Sequence, residues 1–234
     1  MSELKGKVAI VTGAAGNLGR AVCQALASQG ASIALLGLHA EGLEAARPGL
    51  GESAAFAVDL TDPQAMERTV TAVRERFGGI DILANIAGGF TMGPPLHQTP
   101  DQDWDRMMDL NARTVFNACR AVIPHLLAAG GGRIVNVAAR AALKGQGHMA
   151  PYCASKAVVI RLTESLAEEH RDDGINVNCV LPGTLDTPEN RAAMPDADHG
   201  RWVGTDALAD VILFLVSAAS RAISGAAIPV YGRS

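Results

Sequence analysis

The sequence predicts an α/β fold in which helices cover both faces of one doubly wound, seven-stranded parallel sheet. Short apolar runs alternate with longer amphipathic segments along nearly the whole chain. Because successive residues of these runs are apolar, the strands are expected to be buried on both faces, which is typical of parallel sheets. No linker and no internal repeat divides the 234 residues, so we expect a single domain over 1–234.

The individual elements follow from this alternation in chain order. The first two runs begin about 20–25 residues apart, which suits a right-handed βαβ unit. The glycines at 130–132 are expected to end one helix and to begin the next strand. Strands are predicted at 8–11, 33–36, 54–58, 80–83, 134–137, 175–180 and 226–230, and helical segments begin near Leu18, Glu41, Asp62, Pro100, Ala150 and Thr205.

Composition excludes several classes of protein. A net charge of −4 argues against a nucleic-acid or anionic-membrane surface. No apolar run approaches the ~20 residues of a membrane helix, and the N-terminus lacks an apolar leader, so we expect a cytoplasmic protein. The cysteines share no metal-ligand or redox spacing, so we expect no metal site and reduced thiols in or near the core at Cys23, Cys119, Cys153 and Cys179.

Glycines at 13, 16 and 19 lie between the first strand and the first helix. Such a turn lets the backbone approach a diphosphate, and the helix that follows presents free N–H groups and its positive end. A glycine motif in this context predicts a dinucleotide site that includes Asn17 and Leu18. Asn17 replaces a common glycine, and asparagine tolerates left-handed backbone angles.

The end of the second strand leaves the choice between NAD and NADP open. An acid there would bind the ribose hydroxyls and repel a 2′-phosphate. Gly37, Leu38 and His39 occupy this place, so no acid excludes NADP. Arg20 or His39 could assist a phosphate, and each could equally be a plain surface residue.

Tyr152 and Lys156 are four residues apart in a predicted helix, so they share one of its faces. A neighbouring ammonium favours a phenolate, so we expect Lys156 to lower the pKa of Tyr152 from about 10 towards neutral pH. Tyr152 would then act as a general acid or base on a reacting oxygen or nitrogen. The spacing also occurs by chance, but here it follows the fifth strand of a chain that has a glycine-rich first turn.

Two turn-rich loops, residues 88–100 and 182–204, follow the fourth and sixth strands. Ligands of open α/β sheets bind at the carboxyl ends of the strands, where such loops gather. Both loops carry residues of a type usually found buried. They are therefore the predicted walls of a substrate pocket, with the candidates Phe90, Met92, Met194 and Trp202.

From Lys7 to Val230 the chain resembles the short-chain dehydrogenase/reductase family. The resemblance is carried by TGAAGNLG at 12–19, NIAG at 85–88, YCASK at 152–156, and by single residues, which are Asp59, Asn111, Pro182, Gly183 and Thr187. It implies a Rossmann fold, NAD or NADP as cofactor, and hydride transfer to or from a small molecule. It also implies a homodimer or homotetramer formed through helices near 101–128 and 150–171.

The resemblance further implies roles for single residues. Asp59 would contact the adenine, Thr187 the nicotinamide carboxamide and Lys156 the nicotinamide ribose. Asn111 would hold a water in a proton relay. From the residues alone, Asp59 could be a turn residue and Asn111 a polar group satisfied within a helix. The implied catalytic set is Tyr152, Lys156 and Asn111, and the implied cofactor set is Gly13, Gly16, Asn17, Leu18, Gly19, Asp59, Leu60, Asn85, Ala87, Gly88, Tyr152, Lys156, Pro182, Gly183 and Thr187.

The chain departs from the family pattern at Ala139, where a serine is expected, and at Ile86, where a second asparagine is usual. The serine hydroxyl donates a hydrogen bond to the substrate carbonyl, and losing such a donor costs about 3–4 kcal/mol of transition-state stabilisation. Three explanations compete. The site is impaired, or another donor replaces the serine (Thr91, His97 or His148), or the substrate does not need the donor.

A narrower resemblance, to the dihydropteridine reductases, favours the third explanation. It is carried by AGGF at 87–90, ARAALKG at 139–145 and VLPGTLDTPENRAAMPDADHGRW at 180–202. Members of that branch lack the serine and reduce a quinonoid dihydropterin, whose imine-like ring needs proton delivery more than an oxyanion donor. Gly37 departs from that branch, which carries an aspartate there and uses NADH.

We therefore expect an NAD(P)H-dependent oxidoreductase that acts on a quinonoid dihydropterin or a similar ring. A generic ketone or alcohol dehydrogenase of the same family is the first alternative. A nucleotide-binding sensor that has lost turnover is the second.

Overall fold

A computed structural model describes residues 3–233, and its seven main strands form one parallel sheet in the order β3-β2-β1-β4-β5-β6-β9. The doubly wound, seven-stranded prediction is confirmed. Neighbouring strands pair in parallel across the whole sheet. The strands are β1 (Val8–Thr12), β2 (Ser32–Gly37), β3 (Ser53–Ala57), β4 (Ile82–Asn85), β5 (Gly132–Val137), β6 (Ile175–Pro182) and β9 (Ala227–Val230).

Eight α-helices occur in the described part of the chain, and the six predicted helical segments each begin within one residue of the expected position. No helix among these residues has the length and apolar character needed to cross a membrane. The helices are α1 (Asn17–Ser28), α2 (Ala40–Glu44), α3 (Pro63–Phe77), α4 (Asp101–Met108), α5 (Thr114–Ala128), α6 (Ala150–Glu169), α7 (Pro188–Ala193) and α8 (Thr205–Val216).

Alternation of side chains along each strand builds two cores, one on each face of the sheet. Val8 and Ile10 of β1 pack on the face covered by α3, α5 and α6. Ala9 and Val11 pack on the opposite face, with α1 and α8. Because both faces are covered, the strands read as continuous apolar runs in the sequence.

The connections reverse direction at β1, which pairs with β2 on one side and with β4 on the other. Diverging connections leave a crevice at the carboxyl ends of these two strands, where open α/β sheets bind ligands. The glycine-rich turn after β1 and the 88–100 loop after β4 leave the sheet at this crevice.

Two regions differ from the prediction. The helix expected over 101–128 is interrupted by a π-helical turn at Asp109–Arg113. The 182–204 loop contains α7 and a separate two-stranded parallel sheet, β7 (Leu185–Asp186) with β8 (Val203–Gly204). Elements of two to six residues are too short to show a hydrophobic period, and tertiary contacts decide whether they form.

Two smaller expectations are confirmed. Gly131, between α5 and β5, has φ of +141°, and a Cβ there would lie 2.6 Å from the Gly174 carbonyl oxygen. A glycine therefore ends the helix and opens the strand. The four cysteines are buried and form no disulfide.

Candidate active site

The glycine-rich turn between β1 and α1 is folded tightly enough to receive a diphosphate. Gly13 has φ of +64°, and a Cβ there would lie 2.8 Å from the Cα of Ala87. A Cβ on Gly19 would lie 2.2 Å from the Gly13 carbonyl oxygen, so only glycine permits this approach of loop and helix. Gly16 is the N-cap of α1. The first N–H groups of a helix have no partner within it, and together with the helix dipole they bind phosphate.

A hydrogen bond joins this turn to the 182–204 loop. Asn17 Nδ2 donates to Glu189 Oε2 at 2.7 Å, across 172 positions of sequence. Thr187 caps α7 by accepting from the Asn190 N–H at 3.2 Å, and its hydroxyl also bonds to the Glu189 carboxylate. Gly183, after the last residue of β6, donates its N–H to the Val230 carbonyl at 2.9 Å. The loop therefore lies beside the turn that would hold the diphosphate.

Thr12 at the end of β1 fixes the start of the 88–100 loop. Its Oγ1 accepts from the Ile86 and Ala87 N–H groups at 3.0 and 3.1 Å. At Gly88, a Cβ would lie 2.8 Å from Asn111 Oδ1 and 3.0 Å from Lys156 Nζ. The predicted residues Gly88, Asn111 and Lys156 thus meet at one point beside the crevice.

Asn111 lies in the π-helical turn and is fully buried. Its Oδ1 accepts from the Gly89 N–H at 2.9 Å, and its Nδ2 donates to the Gly89 carbonyl at 3.1 Å and to Ser155 Oγ at 3.0 Å. Ser155 in turn donates to the Tyr152 carbonyl at 2.9 Å. One amide side chain therefore ties the 88–100 loop to α6. A π turn inside a helix is frequent at functional sites.

Lys156 is buried on the inner face of α6, and its Nζ donates to the Val137 carbonyl at 2.9 Å. Burial disfavours the charged amine and lowers the pKa of Lys156 from 10.5 to about 8. The ammonium form still predominates at neutral pH.

The expectation that Lys156 lowers the pKa of Tyr152 is wrong for the chain by itself. Burial of the phenol, followed by the nearby Cys153, raises the pKa of Tyr152 from 10.0 to about 12. Desolvation of the phenolate is the larger of these two causes. Tyr152 is therefore protonated at neutral pH, which suits it to donate a proton.

Ala139 is buried in a small apolar cluster with Ala141, Cys153, Met149 and Tyr152. A methyl group therefore occupies the position where the family pattern has a hydroxyl, in the cluster against which the candidate proton donor packs.

His148 cannot replace the serine hydroxyl while its ring is neutral. Its Nδ1 lies 3.1 Å from the Gly93 carbonyl, which can only accept, so Nδ1 carries the proton and Nε2 is an acceptor. The Gly93 N–H returns a bond to the His148 carbonyl at 2.9 Å. His148 has φ of +65°, rare for a residue with a side chain. It joins the 88–100 loop to the segment before α6, while Thr91 and His97 lie on that loop.

Of the four substrate-pocket candidates, the structure brings Phe90 to the reacting group. Its ring lies edge-on against Tyr152, with 5.0 Å between centroids and 84° between planes. Met92 and Met194 are exposed on the two loops. Trp202 packs on His199 with 4.4 Å between ring centroids.

Asp59 follows β3 and accepts from the N–H and the hydroxyl of Thr61 at 2.9 and 2.7 Å, which lowers the pKa of its carboxyl group. This geometry agrees with the interpretation of Asp59 as a turn residue. It leaves the second carboxylate oxygen able to accept from a ligand. The neighbouring Leu60 is buried, and its carbonyl accepts from Asn117 Nδ2 at 3.0 Å.

Arg20 is engaged within the protein. Its three side-chain nitrogens donate to the carbonyls of Ala15, Ala45 and Gly42 at 2.9, 3.0 and 3.4 Å. It therefore holds α2 against the glycine-rich turn. His39 is the N-cap of α2. Neither an acid nor a free guanidinium was found at the end of β2 in residues 37–39, so both nucleotides remain compatible.

Sequence reasoning missed several buried polar residues that support the site. Thr12 and Ser155, described above, are two of them. Asn136 and Thr163 are two more. The predicted residue Asn85 donates from Nδ2 to Asn136 Oδ1 at 2.8 Å, and Asn136 Nδ2 donates to Thr163 Oγ1 at 2.9 Å. Polar residues inside otherwise apolar runs were the available signal, because a buried polar group requires a partner.

A glycine-built diphosphate turn beside a crevice that holds a half-buried tyrosine and a buried lysine is the arrangement of a dinucleotide-dependent oxidoreductase. The donors at the head of α1 and the glycines at 13, 19 and 88 fit such a cofactor, because a Cβ at any of the three would clash with neighbouring groups and displace the segments that border the crevice. Residues 7–198 match the model of the short chain dehydrogenase family. The chain belongs to that family and is an NAD(P)-dependent oxidoreductase.

Relatives and solved structures agree with this assignment. The chain is 37% identical to a D-threitol dehydrogenase of Mycolicibacterium smegmatis, covering 98% of this chain and 93% of the relative. It is 32% identical to a 3-oxoacyl-acyl-carrier-protein reductase of Escherichia coli, covering 98% of both chains. The structure of an NAD+-bound xylitol dehydrogenase superposes with a TM-score of 0.92 at 30% identity, covering 98% of this chain and 99% of that one.

Replacing Lys156 by methionine should remove a pH-dependent penalty on folding. Below pH 8 the folded chain keeps a desolvated ammonium, whereas between pH 8 and 10.5 it releases a proton that the unfolded chain retains. The free energy of unfolding of the unmodified chain, relative to Lys156→Met, should therefore rise by about 2 kcal/mol from pH 8 to pH 10. Urea denaturation at each pH measures it.

The control is Lys144→Met, which removes an exposed charge from the segment before α6. Its difference from the unmodified chain should stay constant over the same range. A constant difference for Lys156→Met as well would show that Lys156 is not desolvated.

Proposed function

We propose that this oxidoreductase reduces a conjugated carbon–nitrogen double bond, as in a quinonoid dihydropterin, with Tyr152 as the proton donor. The observation that carries the proposal is the buried methyl of Ala139, in the apolar cluster against which Tyr152 packs. Reduction of a carbonyl builds negative charge on oxygen, and a nearby hydroxyl stabilises that charge. An imine-like nitrogen is more basic, takes its proton earlier, and depends less on such a donor.

In this proposal the chain's residues deliver and replace one proton. A bound nicotinamide cofactor would supply the hydride, which adds at one end of the conjugated system. The π electrons shift along the conjugated bonds to a nitrogen at the other end, and that nitrogen takes the proton from Tyr152 Oη. Lys156, positively charged at neutral pH, stabilises the phenolate until solvent returns the proton. Asn111 fixes the loop and the helix that carry these groups.

We assign the nucleotide to the glycine-rich turn, with Asp59 at its adenine end and Lys156 and Thr187 at its nicotinamide end. The resemblance of the chain to the family supports these contacts. The substrate would lie between the 88–100 and 182–204 loops, and Phe90 beside Tyr152 supports this position.

A second candidate is oxidation or reduction of an alcohol or ketone. Relatives that match most of this chain are named D-threitol dehydrogenase, at 37% identity, and sorbitol dehydrogenase, at 35% identity. These names favour a secondary alcohol as substrate. The candidate requires a donor that compensates for Ala139.

Nucleotide oxidation with quinonoid dihydropterin, followed by absorbance with NADH and NADPH in parallel, tests the first candidate. We expect turnover with at least one nucleotide, reduced at least about 100-fold by Tyr152→Phe because the proton donor is removed. Tyr231→Phe, at the other tyrosine of the chain, is the control and should retain turnover. Turnover of ketones alone would favour the second candidate, and no turnover at all would favour a nucleotide sensor.

Replacing Ala139 by serine separates the two substrate classes. The new hydroxyl should raise kcat/KM for simple ketones at least about 10-fold, because it restores a donor to the developing oxyanion. It should change kcat/KM for quinonoid dihydropterin by less than about 2-fold, because that reaction does not use the donor. Ala141→Ser, in the same cluster, is the control and should improve neither. A large gain on the dihydropterin would contradict the proposal.

We also propose that the chain forms a homodimer or homotetramer through the helices near 101–128 and 150–171. Large apolar side chains are exposed on the first of these segments, at Trp104, Phe116 and Leu127. Sedimentation equilibrium should give a mass of two or four chains, and Phe116→Glu should lower it, because a charge in an apolar interface is not solvated. A monomer at micromolar concentration would contradict this.

A further inference from the structure

Phe90 is an exposed aromatic residue that the structure holds in a fixed place. More than half of its surface, 57%, faces solvent, although its ring lies edge-on against the Tyr152 phenol. An exposed loop phenylalanine without a role would bury more apolar surface, and so stabilise the fold, if its ring turned into the core. The contact of Phe90 with Tyr152 therefore indicates that the exposed ring has a role.

The backbone before Phe90 explains why its position is fixed. The Gly89 N–H and carbonyl both bond to the buried Asn111 side chain. A Cβ on Gly89 would lie 2.4 Å from Leu110 Cδ2, so the loop is packed directly on the π-helical turn. The ring can therefore present one surface to a molecule bound at Tyr152 with little loss of freedom on binding.

Two surfaces that contact the Tyr152 side chain are apolar. One is the ring of Phe90, and the other is the methyl cluster around Ala139. Neither offers a hydrogen-bond partner to the hydroxyl groups of a polyol. A flat ring can lie on the phenyl ring in an offset or edge arrangement, which stabilises aromatic pairs beyond the area that they bury.

We propose that Phe90 is the specificity-determining residue that makes this site select planar, conjugated substrates over saturated ones. The inference rests on the proposed role of Tyr152 as proton donor, and it does not require that the substrate be a dihydropterin. It assigns to Phe90 a direct contact with the ring that carries the reacting bond.

A pair of ketones of equal carbon number tests the inference. Acetophenone is planar and conjugated, and cyclohexyl methyl ketone is its saturated counterpart. We measure kcat/KM for both with the preferred nucleotide, and the quantity of interest is their ratio. In Phe90→Leu the ratio should fall about 5-fold, because leucine is apolar but offers no ring face.

Two further variants control for other effects. Phe90→Trp keeps a ring face and should keep or raise the ratio. Phe214→Leu makes the same substitution at an exposed position near the end of α8 and should leave the ratio within about 2-fold. Quinonoid dihydropterin and the saturated cyclic imine 2-methyl-1-pyrroline repeat the comparison for carbon–nitrogen double bonds.

Each outcome decides the inference. An equal fall for both ketones in Phe90→Leu would mean that Phe90 only packs against Tyr152, and an unchanged ratio would mean that no substrate meets it. Either result overturns the inference, as does an unmodified chain that reduces none of the four compounds. If the ketone ratio falls while dihydropterin is not consumed, the inference stands and the proposed substrate fails.

Discussion

The buried amide of Asn111 is the contact on which the site depends. It joins the loop after β4 to α6 through bonds to both backbone groups of Gly89 and to Ser155. Breaking it would leave buried polar groups unpaired, which costs about 1–3 kcal/mol each. The amide reaches these partners from a π-helical turn, where the helix is locally widened. A local irregularity in one helix thus joins the loop that carries Phe90 to the helix that carries Tyr152 and Lys156.

Burial then sets the protonation states of Lys156 and Tyr152. The same loss of water lowers the pKa of Lys156 to about 8 and raises that of Tyr152 to about 12. The two shifts bring the amine towards neutrality and keep the phenol protonated. A protonated tyrosine can give a proton, as the proposed role of Tyr152 requires.

The groups that surround Tyr152 and Lys156 decide the substrate, whereas these two residues by themselves do not. Relatives that share the fold act on alcohols and on acyl groups according to their names, so the fold does not specify the substrate. Here the surroundings of Tyr152 are a methyl group, a phenyl ring and a loop fastened by His148. The methyl group and the phenyl ring provide apolar surface, which supports the proposal that a planar ring is a better partner than a polyol.

The sequence alone determined the sheet, the glycine-rich turn and the i, i+4 pairing of Tyr152 with Lys156, because these follow from local periodicity and backbone sterics. It also showed the alanine at position 139. Only the tertiary structure decided that Arg20 is engaged by backbone carbonyls, and that burial raises rather than lowers the pKa of Tyr152. Hydrogen-bond partners and solvation come from residues distant in the chain, and no local pattern encodes them.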